Sequence, residues 1–112
     1  MIQNGSQVSY EEHGDALVIR IRGEIDHHSA VSVRAGVDDV LAARQPERVF
    51  LDLSGVDFMD SSGLGLILGR LAVCRHFDCQ MHLTGADERM LRIFRMAGLA
   101  RVEGLTVEGL CK

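Results

Sequence analysis

The chain has 112 residues, 46% of them hydrophobic and 25% charged, so it can bury one hydrophobic core but has no room for a separate catalytic or regulatory domain. One proline and no tryptophan complete an ordinary globular composition, which excludes disorder and collagen-like repeats. Twelve Lys and Arg against sixteen Asp and Glu leave a formal net charge of -4, the wrong sign for a protein that neutralises phosphates, so no direct nucleic acid partner is expected.

In chain order, Gln7 to Glu12 and Ala16 to Arg22 read as a hairpin around the turn-forming His13-Gly14-Asp15. Leu17, Ile19 and Ile21 share one face of the second strand, and Val18, Arg20 and Arg22 the wetter one. Ser29 is placed to cap a helix in which Val33, Val37, Val40, Leu41 and Arg44 recur at helical spacing, closed by Gln45-Pro46. Arg48 to Leu53 is a compact apolar strand, and the strand-helix-strand order predicts a parallel pair with a right-handed crossover. A second helix from about Ser61 puts Leu64, Ile67, Leu68 and Leu71 on one stripe, which should be buried. Cys79 to Thr84 follows as a strand with Cys79, Met81 and Leu83 alternating. Asp87 caps a third helix with Met90, Leu91, Phe94 and Ala97 inward, and Gly98 supplies a left-handed stop. Ala100 to Val102 is expected as a last short strand, and Val102 to Lys112 as a weak helix or frayed end. The whole is a single α/β domain over residues 1–112, with a small mixed sheet of four to five strands and packed helices.

The longest mainly apolar stretch, Leu64 to Val73, is broken by Arg70 and is shorter than the roughly 20 residues of a bilayer span. The first twelve residues have no apolar signal core, so a cytoplasmic protein without a membrane partner is expected. Cys74, Cys79 and Cys111 are odd in number and irregularly spaced, which reads as buried or incidental thiols in a reducing compartment.

Loops that follow parallel strands leave the same edge of a sheet, where α/β folds place their sites. Gly23 to His28 and Ser54 to Ser62 are such loops, rich in Gly, Asp, Ser and His, and should lie side by side with Asp26 near Ser61. In the second, Asp60 or Ser61 can serve as a helix N-cap. A hydroxyl here is also a candidate phosphoryl acceptor, because a helix start tolerates an anion. Glycines at 63, 65 and 69 each cost about 1 kcal/mol relative to alanine in a helix, so close approach of another backbone or a partner is expected to account for them.

Gly23-Glu24-Ile25-Asp26-His27-His28, followed by a helix and then by Phe58-Met59-Asp60-Ser61-Ser62-Gly63-Leu64-Gly65-Leu66-Ile67-Leu68-Gly69-Arg70, closely resembles the anti-sigma factor antagonists of the STAS domain family, in particular the sporulation type. The resemblance runs from the first strand to the third helix and is weak from Val102 onward. It implies the STAS fold and, at Ser61, the serine that the family phosphorylates. It also implies partner switching: the unphosphorylated protein binds an anti-sigma factor serine kinase and frees the sigma factor, the kinase phosphorylates Ser61, and a metal-dependent serine phosphatase reverses this. The expected partner surface is Gly23, Glu24, Asp26, His27 and His28 together with Met59, Asp60, Ser61, Ser62 and Gly63. The alternative is a phosphorylatable STAS-type interaction module of a stress or other partner-switching pathway.

Enzyme readings find less support. Asp26-His27-His28 resembles the triplet of metal-dependent phosphoesterases, but no second Asp cluster accompanies it. His76 and His82 with Cys74 and Cys79 have no recognised zinc spacing. Met59-Asp60-Ser61-Ser62-Gly63 lacks the first glycine of a nucleophile elbow, and no phosphate-binding loop is present. A binding protein without catalysis, cofactor or metal is expected.

Overall fold

The computed structural model describes residues 2–3 and 7–110. Its elements are β1 (Ile2–Gln3), β2 (Val8–His13), β3 (Ala16–Ile25), α1 (Ala30–Arg44), β4 (Arg48–Met59), α2 (Ser61–His76), β5 (Gln80–Thr84), α3 (Glu88–Met96), a 3-10 turn over Leu99–Arg101, and β6 (Leu105–Val107). The strands lie in sequence order in one sheet. The pairs β1 with β2 and β2 with β3 are antiparallel, whereas β3, β4, β5 and β6 run parallel. Strands β2 to β6 thus make the expected mixed sheet, and β1 adds a two-residue edge.

Alternation along β3, β4 and β5 sends Leu17, Ile19, Ile21, Val49, Leu51, Leu53, Met81 and Leu83 to one face. There they join Val33, Val37, Val40 and Leu41 of α1 and Met90, Leu91 and Phe94 of α3 in one hydrophobic cluster. The opposite face is polar: Arg20 is 3.5 Å from both Glu11 and Asp52, and the Phe50 ring stacks on His82 at 4.7 Å. Gln45, in the left-handed region, closes α1, and Arg44 turns outward to donate to the Tyr10 hydroxyl at 2.8 Å. Asp87 Oδ1 accepts from Met90 N at 2.9 Å, the expected cap of α3, and Gly98 at φ 78° ends it.

Three expectations are corrected. Helix α2 is turned from the predicted stripe: Leu66, Ile67, Arg70, Leu71 and Cys74 are buried, Leu64 is half-buried, and Leu68 is 41% exposed. A helix apolar on nearly every side carries no periodicity to choose its inner face, and packing against the sheet decides. Ala97 lies beyond the end of α3 and is exposed. Finally, Leu99–Arg101 forms the 3-10 turn, and the last strand is β6, inside the segment expected to be helical or frayed. Its pairing with β5 through Met81↔Leu105 and Leu83↔Val107 defines it, since three residues have too little local pattern. Cys111 lies outside the described residues.

Truncation should separate the two sides of α2. Leu71→Ala should cost about 2–5 kcal/mol by urea unfolding, because it empties a filled site, whereas Leu68→Ala should stay within about 0.5 kcal/mol. Equal losses would mean the helix is rotated from this placement.

Candidate functional site

Strands β3 and β4 continue through most of what the sequence presents as loops. Pairing runs Arg20↔Asp52, then Arg22↔Gly55 and Gly23↔Val56, then Glu24↔Phe58 and Ile25↔Met59, so β4 gains one residue on β3 at each of two bulges. Burial along β4 follows, passing from Val49, Leu51 and Leu53 to Val56 and Met59, a change from every second to every third residue. The true turns are therefore only Asp26 to Ser29 and Asp60. They are tied together, because Asp60 N donates to Ile25 O at 3.2 Å.

The first turn is built on a carboxylate. Asp26 Oδ1 accepts from His28 N at 3.0 Å and Ser29 N at 2.8 Å, and Asp26 O accepts from Ala30 N at 2.9 Å. The backbone and side-chain hydrogen bonds from Ser29 hold the Asp26 carboxyl below the usual carboxylate range. Ser29 makes no side-chain cap to α1, contrary to expectation. Its Oγ instead donates backward to Glu24 O at 2.7 Å and accepts from Asp26 N at 3.0 Å, which leaves Asp26 to satisfy the helix start. Gln7 completes the clamp, its Nε2 donating to Arg22 O and Glu24 O at 2.9 Å each. No sequence signal marks Gln7, because its partners lie 15 and 17 residues away.

At the second turn Asp60 is the N-cap, accepting from Ser62 N at 2.8 Å through Oδ1 and from Gly63 N at 2.9 Å through its carbonyl. Ser61, the first helical residue, is exposed, and Ser62 is half-buried. Gly63 is buried, and a Cβ there would overlap the Met59 side chain. Beyond Ser61 the outward positions of α2 are Leu64, Gly65, Leu68, Gly69 and Ala72, with no charge before Arg75. Phe58, 42% exposed, adds apolar surface at the same end. Of the other residues read as partner surface, Glu24, His27 and His28 are exposed, while Gly23, Asp26 and Asp60 are half-buried. Met59 and Gly63 are buried and support the surface from beneath.

Arg70, which the sequence presents only as a break in an apolar run, is 8% exposed, with Nε 2.7 Å from Asp38 Oδ1 across α1 and α2. Burial is the main cause holding its pKa below the usual guanidinium value. Burial also pushes the Cys74 thiol up to about 12 and raises that of Cys79, so neither is a ready nucleophile. Among the described residues no three His, Cys, Asp or Glu side chains converge on a metal position, and no helix is long and apolar enough to cross a membrane.

Residues 7–108 match the STAS domain. The chain belongs to the STAS domain family. This STAS domain is 36% identical over 96 residues to an anti-sigma F factor antagonist of Paenibacillus polymyxa, covering 86% of this chain and 82% of that one. It is 32% identical over 100 residues to an anti-sigma-B factor antagonist of Listeria monocytogenes, covering 88% and 87%. Among solved structures it is similar to the phosphorylated form of the Bacillus cell fate determinant SpoIIAA, with a TM-score of 0.67, 27% identity, and 89% of each chain covered.

The Asp26 carboxyl gives a pH signature. Its folded pKa is depressed, so its stabilisation is present at neutral pH and is lost as pH falls through that folded value. Asp26→Ala should be less stable than wild type at pH 7, with the gap narrowing below about pH 4, the carboxylate range. Thermal unfolding across pH checks this, and a gap independent of pH would remove the carboxylate from the turn.

Proposed function

We propose that this STAS domain is an anti-sigma factor antagonist. Unphosphorylated, it binds an anti-sigma factor that is also a serine kinase, and the sigma factor is released. The observation that carries the reading is Ser61, exposed at the start of a helix whose outward face stays uncharged for three turns. A helix apolar on nearly every side belongs against something, and here one side is open.

The same geometry accounts for the switch. Asp60 already holds the N–H groups of Ser62 and Gly63, so a phosphate on Ser61 finds these donors taken and a carboxylate beside it. It stays on the surface as added charge of about -2. A partner face complementary to a neutral hydroxyl must then desolvate that charge or let go, at a cost of several kcal/mol. The kinase is the partner, and a serine phosphatase acting on phospho-Ser61 returns the binding form. This protein is substrate and ligand, not catalyst, and works in the cytoplasm. The partner surface comprises the Gly23 to His28 segment and the start of α2. The similarity to a protein solved in phosphorylated form supports this reading. The similarity to both sigma F and sigma B antagonists supports the class of system and leaves a stress-type sigma factor as the second reading.

Ser61→Ala should bind the anti-sigma kinase as wild type does and resist release by ATP, whereas Ser61→Asp should fold normally and bind poorly. Ser62, about 100° further round the helix, is the internal control. After incubation with kinase and ATP, peptide mass spectrometry should find phosphate on Ser61; phosphate on Ser62 alone, or full labelling of Ser61→Ala, would overturn the assignment.

A further inference from the structure

Helices α1 and α2 lie side by side, and a groove of about 340 Å3 opens between them. Ala30, Val31 and Arg34 line it from α1, and Gly65, Gly69 and Arg70 from α2. Gly63 is explained by Met59, but a Cβ added at Gly65 or Gly69 would meet nothing within 4 Å. Each glycine nevertheless costs the helix about 1 kcal/mol relative to alanine. The fold has no internal need for two bare positions on its groove wall, so the need lies with what enters the groove.

The charges point to what that is. Arg70 is buried and faces Asp38 at 2.7 Å, at an angle that makes an ion pair without a hydrogen bond. Arg34 is close enough to oppose the charge of Arg70, and among the described residues it has no carboxylate partner of its own. Two guanidiniums therefore have one carboxylate between them, in a chain whose net charge is -4. The Val31 side of the groove is apolar and open, Val31 being 60% exposed.

We propose that this groove receives an acidic side chain, Asp or Glu, of the anti-sigma factor, with Arg34 as its ion-pair partner and Gly65 and Gly69 as the bare wall that lets the partner's chain approach. The inference rests on the function proposed above and names the chemistry the partner must present. It also deepens the switch. Gly65 stands about one turn, 5.4 Å, beyond Ser61, and Ser62 lines the groove. A phosphate on Ser61 would therefore add negative charge next to the Ser62 end of the groove and disfavour an entering carboxylate.

The test is titration of the protein with the serine-kinase anti-sigma factor of the same genome, at low and high salt, with circular dichroism as the fold control. Arg34→Glu should weaken binding about tenfold or more and flatten its salt dependence, while Arg34→Lys should keep most of the affinity. Gly69→Ala should raise the melting temperature yet weaken binding, and Gly69→Leu should weaken it about tenfold or more. Wild-type affinity in both Arg34→Glu and Gly69→Leu, with Ser61→Asp still impaired, would overturn the groove and leave the proposed function standing. Loss in Gly69→Leu alone would overturn the acidic group, and loss in Arg34→Glu alone would overturn the groove as its seat. A wild-type protein that neither binds the kinase nor is phosphorylated by it would overturn the function itself and this inference with it.

Discussion

Two extra residues in β4 let its parallel pairing with β3 survive two bulges and reach Ile25 and Met59. If that pairing ended near Asp52, the segments after it would be free loops with backbone groups to satisfy in water. Because it continues, Ile25 O is in place to accept from Asp60 N, and the starts of α1 and α2 leave the sheet edge side by side. Each bulge also turns the chain, so Val56 and Met59 still point into the core although the two-residue alternation has stopped. The helix that carries Ser61 is thus positioned by backbone hydrogen bonds rather than by the serine's own contacts. A modification at that hydroxyl can change the surface without disturbing the core beneath it.

Helix α2 is the element whose local chemistry is least favourable to itself. It carries three glycines in its first nine residues and leaves leucine side chains partly in water. Only Gly63 relieves a contact inside the chain. Its inner side compensates with Leu66, Ile67, Leu71 and Cys74, and with the Arg70–Asp38 pair that joins it to α1. Arg70 is buried and the Asp38 side chain is 38% exposed. Such a half-buried ion pair contributes little net stability, because desolvation offsets attraction, but removing Asp38 strands the buried guanidinium. Its consequence here is geometric, fixing the separation of α1 and α2 and hence the width of the groove.

Asp60 and Asp26 perform the same service at neighbouring helix starts, each satisfying backbone N–H groups with a carboxylate. Asp60 also keeps a carboxylate next to Ser61 in the chain. Ser29 shows how such a site escapes a residue-by-residue reading: its type and place are those of an N-cap, yet with Asp26 three residues earlier its hydroxyl is used to fold Glu24 back instead.

By itself the sequence determined the element types wherever local chemistry is decisive. The hairpin around Gly14, the alternating β3, the cap at Asp87 and the stop at Gly98 depend on a few adjacent residues, and all were legible; the cap of the second helix was narrowed to Asp60 or Ser61, and the structure uses Asp60. The start of α2 near Ser61 was legible too, and the resemblance of the Asp-Ser-Ser-Gly segment to its family marked it as the candidate site. What only the tertiary structure decided are choices among locally equivalent options. The inner face of α2 was ambiguous because apolar residues surround it, and the ends of β3 and β4 were hidden because bulges break the two-residue period. Likewise β6 exists only through its pairing with β5, and the roles of Gln7, Arg34 and Arg70 depend on partners across the fold. Each is settled by which surfaces meet, and a pattern read along one segment carries no record of the segment it will face.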